Sequence, residues 1–259
     1  MTRSERAVCW TSFLVEGTGS DGQLENLAEA KRKLALANRI LVNEGLTELG
    51  RGHVCYYLPG EKRILLPAHL HEFGRTIGTC SESDLVKIDM DGKVVEGNFP
   101  RSMGESYFYL EIFKTGNGYR AAAHAHPYYT NVLAMTGKKL LMMSRDSFLF
   151  VDGIPVFEEL PLYIGNRDLA RRLVDKMGRS TLVIHRGHGI FAAGNTIENV
   201  IVTIAALERA AKKQVLTYMA GGQKAYDEDE VRSKYSEELV EDLASTDWGY
   251  FVSRLERHE

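Results

Sequence analysis

Cysteine is scarce in this chain. The three that occur, Cys9, Cys55 and Cys80, are widely spaced, odd in number and without a CxxC pair. That excludes a disulfide framework and leaves reduced thiols, as expected of a cytosolic protein. Long apolar runs are missing as well: none approaches the ~20 residues that span a bilayer. The opening MTRSERAVCWTSFLVEG has arginines but only a short, interrupted apolar stretch, so neither a secretion leader nor a membrane partner is expected. No basic block is present either. The 32 basic and 35 acidic residues are mixed along the chain and sum to −3, which argues against nucleic acid as a partner. Internal repeats and low-complexity linkers are also absent, and 259 residues, 44% of them hydrophobic, suffice for a full core. One domain over 1–259 is expected, with its core at about 24–220 and a polar tail at 221–259.

Leu27, Ala30, Leu34, Ala37, Ile40 and Leu41 recur at three- and four-residue intervals, which predicts an amphipathic helix over Leu24 to Leu46 that ends at Gly45. The runs HVCYYL, RILLP, LVKIDM and KVVEG then read as strands, with turns at Pro59-Gly60 and Asp91-Gly92. A helix is expected over Glu105 to Lys114, followed by a strand at AAAHAH and another helix from Pro127. LLMMS, FLFV and PVFEE resemble strands, and Arg167 to Met177 a helix closed by Gly178. STLVIHRGHGIFAAG reads as strand, glycine turn and strand. Asn195 and Glu198 suggest a capping box for a helix to about Ala220, with Ile197, Val200, Ile201, Ile204 and Leu207 on one side. The tail is read as partly helical at best. Strands and helices alternate, so the class is α/β.

Two of the eight histidines, His124 and His126, are separated by one alanine inside an apolar strand. Alternate residues of a strand share a face, so the two imidazoles project together, as in a bidentate metal clamp or as two polar residues at a strand end. His188, between Gly187 and Gly189 in the turn RGHG, is a third candidate ligand, whereas His185 reads as structural. Three neutral imidazoles around an open position suit a divalent metal, zinc first and manganese or iron second. Glu105, at the start of the helix leading into the HxH strand, is the candidate general acid/base, although helix dipoles favour acids there in any case.

These residues in this order resemble the class II aldolase/adducin family, in which a Glu is followed about nineteen residues later by HxH and then by a third histidine in an [NG]HG turn. His124 lies nineteen residues after Glu105, and SDLVKIDMDGKVVEG, HAHPYY and RGHGIFAAG extend the likeness over most of the chain. The resemblance implies a three-layer α/β/α fold with a central, mainly antiparallel sheet. It implies metal ligation by His124, His126, His188 and Glu105, with Glu105 also moving protons. A homotetramer with active sites at subunit interfaces is implied as well, and tail residues such as Tyr226 or Tyr235 are candidates to complete a neighbour's site. The implied chemistry is carbon–carbon cleavage of a small-molecule substrate through a metal-stabilised enolate.

Sugar-phosphate aldolases of the family bind phosphate through a GN[VI]S loop and a Ser-Ser pair before the Glu, where this chain has Gly52-His53-Val54-Cys55 and Met103-Gly104. Two sets of donors are missing and no Lys or Arg cluster is evident nearby, so a phosphorylated sugar is disfavoured. The GH and RGHG forms are similar to the decarboxylating branch, which acts on hydroxy, keto or hydroxyaromatic carboxylates. His53 and Arg186 are candidate substrate contacts. The alternatives are a sugar-phosphate aldolase, epimerase, dehydratase or iron-dependent oxygenase on the same site, or a non-catalytic adducin-like interaction module.

Overall fold

The computed structural model of the protein describes residues 27–235 and 238–257, the side chains of 238–245 excepted; Cys9 and the opening segment lie outside the described residues. The strands are β1 (His53–Leu58), β2 (Arg63–Pro67), β3 (Leu85–Asp89), β4 (Val94–Glu96), β5 (Ala121–Ala125), β6 (Val156–Phe157), β7 (Leu182–His185) and β8 (Gly189–Gly194). They form one sheet in the order β4-β3-β2-β1-β5-β8-β7-β6, antiparallel throughout except at the short β6–β7 edge. The helices are α1 (Leu27–Asn43), α2 (Tyr107–Ile112), α3 (Tyr128–Met135), α4 (Arg145–Phe148), α5 (Arg167–Met177), α6 (Ile197–Met219), α7 (Glu228–Lys234) and α8 (Glu238–Glu256).

Strand alternation sorts the core into two layers of packing. Val54 and Tyr56 of β1, Ala121, Ala123 and Ala125 of β5, and Ile190 and Ala192 of β8 face α1, α6 and the Phe251 and Leu255 side chains of α8. Cys55, Ala122, Phe191 and Ala193 face the opposite way, toward α2 and α5. Helices therefore cover both faces of a mainly antiparallel sheet, the α/β/α arrangement that the family resemblance implied. Ile197, Val200, Ile201, Ile204 and Leu207 of α6 are all buried, each contributing about 1.5–3 kcal/mol by leaving water. The small alanines of β5 let this helix lie over the middle of the sheet.

Several expected elements differ. LLMMS and FLFV are not strands: residues 140–144 are irregular, and 145–148 form α4. The backbone there is satisfied by α6 rather than by a neighbouring strand, since buried Gln214 accepts from Leu141 N–H and donates to the Lys139 carbonyl. A short apolar run does not by itself separate strand from helix. At α6 the cap is Thr196, whose hydroxyl accepts from Asn199 N–H at 3.1 Å; Glu198 instead pairs with Lys33 of α1 at 2.8 Å. The tail is largely helical. Asp227 caps α7 through the N–H groups of Asp229 and Glu230, and α8 packs on the core. Its polar composition concealed this, because few apolar residues anchor it.

Candidate functional site

Antiparallel register places His124 of β5 opposite His53 of β1 on one side and Phe191 of β8 on the other. The His124 ring stacks on Phe191 with centroids 4.2 Å apart, on the sheet face that carries α2 and α5. His126 stands just beyond the end of β5 rather than inside it. His188 is delivered by the β7–β8 turn, in which Gly187 adopts φ +80°. A Cβ on Gly189 would lie 2.4 Å from the Ala125 carbonyl oxygen and 2.6 Å from His126 Cδ2, so glycine is what allows the β8 strand to start against the HxH segment.

Glu105 reaches the same point from a different direction. It does not open α2, as the sequence suggested, but precedes it with φ +60°, a left-handed conformation that costs a non-glycine residue about 1–2 kcal/mol. The turn aims its carboxylate at the histidines. Glu105 Oε1 accepts from Ile164 N–H at 2.9 Å, while Oε2 lies 3.0 Å from His124 Nε2 and 3.6 Å from His188 Nε2. His126 Nε2 is 3.2 Å from His188 Nε2.

One ligand atom from each of Glu105, His124, His126 and His188 lies within 4.8 Å of the others. His124 Nδ1–H donates to the Ile190 carbonyl at 2.9 Å, which fixes the tautomer with Nε2 bare. That Nε2 is buried and makes no hydrogen bond of acceptable geometry, even toward Glu105. Three of the six pairwise separations, 3.0, 3.2 and 3.6 Å, bracket the edge of a tetrahedral ligand set, about 3.3 Å for metal–ligand bonds of roughly 2.0–2.1 Å, and the others stay within 4.8 Å. The residues thus fit a divalent cation.

The electrostatics agree. Burial, reinforced by His124 and His188, brings His126 down to about 3, and burial with His124 brings His188 to about 4 against the pull of Glu105. Both rings are neutral near pH 7, as ligands must be. Burial alone would raise the Glu105 carboxyl, but His124, His188 and the Ile164 N–H outweigh it and hold the group at about 2.

Other candidates separate clearly. His185 Nε2–H donates to the Glu159 carbonyl at 2.9 Å, away from the cluster, in keeping with a structural role. His53 borders the cavity, but its nitrogens face protein groups: Nε2–H donates to the Gly104 carbonyl at 2.7 Å and Nδ1 meets the Tyr109 hydroxyl. Its visible job is to hold the Gly104–Glu105 turn. Arg186 pairs with Glu158 at 3.1 Å and lines a separate cavity with Lys176 and Ile184, apart from the histidine cavity of the same chain. Tyr226 and Tyr235 pack against Phe148 of their own chain. Cys55 and Cys80 are buried free thiols, Cys80 pushed up to about 12 by burial and Asp84, and Cys55 pushed well up by burial.

The cavity over the cluster measures about 660 Å³. It is bordered by residues that the sequence reading passed over: Arg51, His69, His71 and Tyr163. Two were signalled by a second HxH, His69-Leu70-His71, which turns into a short helical turn rather than a strand. Arg51 adjoins the altered GH loop, so a single cation, though no Lys or Arg cluster, borders the site. Tyr163 packs its hydroxyl on Gly104, where a Cβ would come within 2.9 Å.

Comparison with known proteins places these features in context. The profile of the class II aldolase and adducin N-terminal domain family matches residues 32–215. The 3,4-dihydroxyphthalate decarboxylase of Arthrobacter keyseri is 27% identical over 205 residues, covering 75% of this chain and 81% of that one. The L-fuculose phosphate aldolase of Methanococcus vannielii is 26% identical over 139 residues, covering 54% of this chain and 73% of its own. Among solved structures, an aldolase II superfamily protein from Pseudomonas syringae superposes with a TM-score of 0.75 at 22% identity, over 89% of this chain and 93% of that one. The L-fuculose 1-phosphate aldolase of Glaciozyma antarctica PI12 also gives 0.75, at 20% identity over 96% and 97%. At such identities the structures share the fold.

Proposed function

The chain belongs to the class II aldolase and adducin family, and from that premise we propose that it is a metal-dependent carbon–carbon lyase that decarboxylates a hydroxy, keto or hydroxyaromatic carboxylate. The observation that carries this reading is the convergence of Glu105, His124, His126 and His188, with His124 Nε2 buried, bare and fixed by the Ile190 carbonyl. These four residues would hold the cation, with zinc the first expectation and manganese or iron the next. Bound there, a divalent cation supplies Lewis-acid polarisation of an oxygen next to the breaking bond.

The protein's own groups divide the remaining work. Glu105 Oε1 is anchored by Ile164 N–H, so Oε2 is the atom that faces the cluster: it would touch the cation first and, with substrate in its place there, would be the atom that moves protons. Held at about 2, the carboxyl is ionised near neutral pH and begins as an acceptor. Replacing a carboxylate by hydrogen consumes one proton, which Oε2 takes from the substrate hydroxyl or from water and returns to the carbon. His53 keeps the Gly104–Glu105 turn in place, and Tyr163 walls the cavity beside it.

The decarboxylase preference is supported by the relative from Arthrobacter keyseri and by the loss of phosphate donors: Cys55 is wholly buried in the core and Met103 nearly so. Retro-aldol cleavage on the same residues is the second reading, favoured by the likeness to L-fuculose phosphate aldolases. We also propose a homo-oligomer, a tetramer by the family's habit, since exposed Leu49 and Tyr163 stand at the cavity and exposed Leu160 in the loop beside it. Metal analysis of protein purified without chelators, followed by a screen of hydroxy- and keto-carboxylates for carbon dioxide release, tests the reading. Protein without metal, or cleavage only of phosphorylated sugars, would displace it.

A further inference from the structure

The β5–β8 ladder stops short of two of the clustered histidines. Its last register pair is Ala125 with Ile190, so His126 stands just past the end of β5 and His188 just before the start of β8. Their Nε2 atoms are nevertheless 3.2 Å apart. A tie beyond the ladder joins the two segments. Asn131, in the first turn of the helix that follows His126, donates from Nδ2–H to the His188 carbonyl at 3.1 Å.

The helix that carries Asn131 is itself fixed. Pro127 occupies its N-cap and has no side-chain acceptor for the first-turn N–H groups that a helix start leaves open. Glu208 of α6 supplies one from outside: Oε1 accepts from Tyr129 N–H at 2.8 Å, and Oε2 from Thr130 N–H and the Thr130 hydroxyl, both at 2.9 Å. Glu208 is buried and α6 packs on β5 and β8, so α3 starts from a rigid support.

The Asn131 amide does not serve stability alone. A carbonyl acceptor requires the amide nitrogen to face His188, which leaves Asn131 Oδ1 buried with no partner among the described residues. An orphaned acceptor opposes folding and offsets the bond that Nδ2 makes. Leucine, of similar shape, would remove the bond and the orphan together.

We propose that Asn131 is the positioning residue of His188, holding the third imidazole at ligand distance from His126 across the open end of the ladder. This rests on the metal-site reading of the cluster and adds to it a residue that acts through His188 rather than by touching metal or substrate.

Zinc titration of metal-free protein by calorimetry tests it, beside thermal melts of the same metal-free samples. Asn131→Leu should raise the zinc Kd about tenfold or more, the usual scale for losing a group that orients a ligand. Its metal-free melting temperature should move by less than about 4 °C, since bond and orphan leave together. Asn131→Ala, which cannot clash with the turn, should raise Kd by as much. In a His188→Ala background no imidazole remains to be positioned, and Asn131→Leu should then change Kd by less than about threefold. An unaltered Kd in both Asn131 variants would overturn the proposal. So would an equal loss in the His188→Ala background, or large losses of metal-free stability in both variants, since either marks general support of α3. Wild-type protein that takes up no zinc removes the metal-site reading and this role together, whereas tight wild-type binding indifferent to Asn131 removes this role alone.

Discussion

Ile164 N–H donates to Glu105 Oε1 at 2.9 Å and so fastens the candidate proton carrier to the loop before α5. Glu105 stands at φ +60°, and this bond, together with the His53 grip on the Gly104 carbonyl, helps retain a conformation that a non-glycine residue disfavours. The strain is concentrated at the residue whose second oxygen faces His124 and His188.

Glu105→Gln should therefore fold normally, since the amide oxygen can still accept from Ile164, while losing the group that moves protons. Turnover is expected to fall by ~100-fold or more. The melting temperature and steady-state rate of the variant check both halves, and a near-normal rate would assign proton transfer elsewhere.

His124→Ala, His126→Ala and His188→Ala should each strongly lower metal occupancy, because each removes one of three imidazoles from the cluster. His185→Ala should retain metal, since its Nε2–H is directed to the Glu159 carbonyl. Mass spectrometry of dialysed protein decides; full occupancy in His188→Ala would break the ligand assignment.

Much of the centre was legible because each part has a local signature. HxH in a strand puts two rings together, RGHG brings a third across the β7–β8 turn, and apolar periodicity marked α1, α5 and α6. What stayed hidden depends on contacts distant in sequence. Arg186 sits beside His188 in the chain yet borders another cavity, because its pairing with Glu158 draws it toward the β6 end of the sheet. His69 and His71 join the site only because residues 67–69 are pinned to 101–103. Gln214 turns an apolar stretch away from the sheet by supplying both hydrogen bonds that a neighbouring strand would have given.

Gly189→Ala tests the closeness of β8 to the HxH segment. Its methyl would meet the Ala125 carbonyl oxygen at 2.4 Å and His126 Cδ2 at 2.6 Å, so backbone or ring must move. Destabilisation of about 1–3 kcal/mol is expected, with weaker metal binding than in the wild type. Urea denaturation and metal titration should show both effects, and unaltered metal affinity would mean that His126 does not depend on this contact.

Burial, helped by His124, brings His53 down to about 4 from an ordinary 6.5 against the favourable bond to Gly104. Between pH 6.5 and about 4 the unfolded chain binds a proton at His53 that the folded chain refuses. Stability must then fall as the pH drops through that window, and His53 accounts for up to ~3 kcal/mol of the loss when the whole interval is crossed. His126 and His188, also lowered, add slope of the same sign in metal-free protein. Glu105 acts lower down, its contribution being full above about 4.5 and lost only toward 2. The useful quantity is therefore a difference: metal-free wild type against His53→Gln, whose amide can still donate to the Gly104 carbonyl but cannot titrate. Urea denaturation at intervals from pH 7.5 to 4.5 should give a shallower decline for the variant. Parallel declines would show that His53 is protonated as easily in the fold as out of it, and that the Gly104–Glu105 turn is held without a neutral ring.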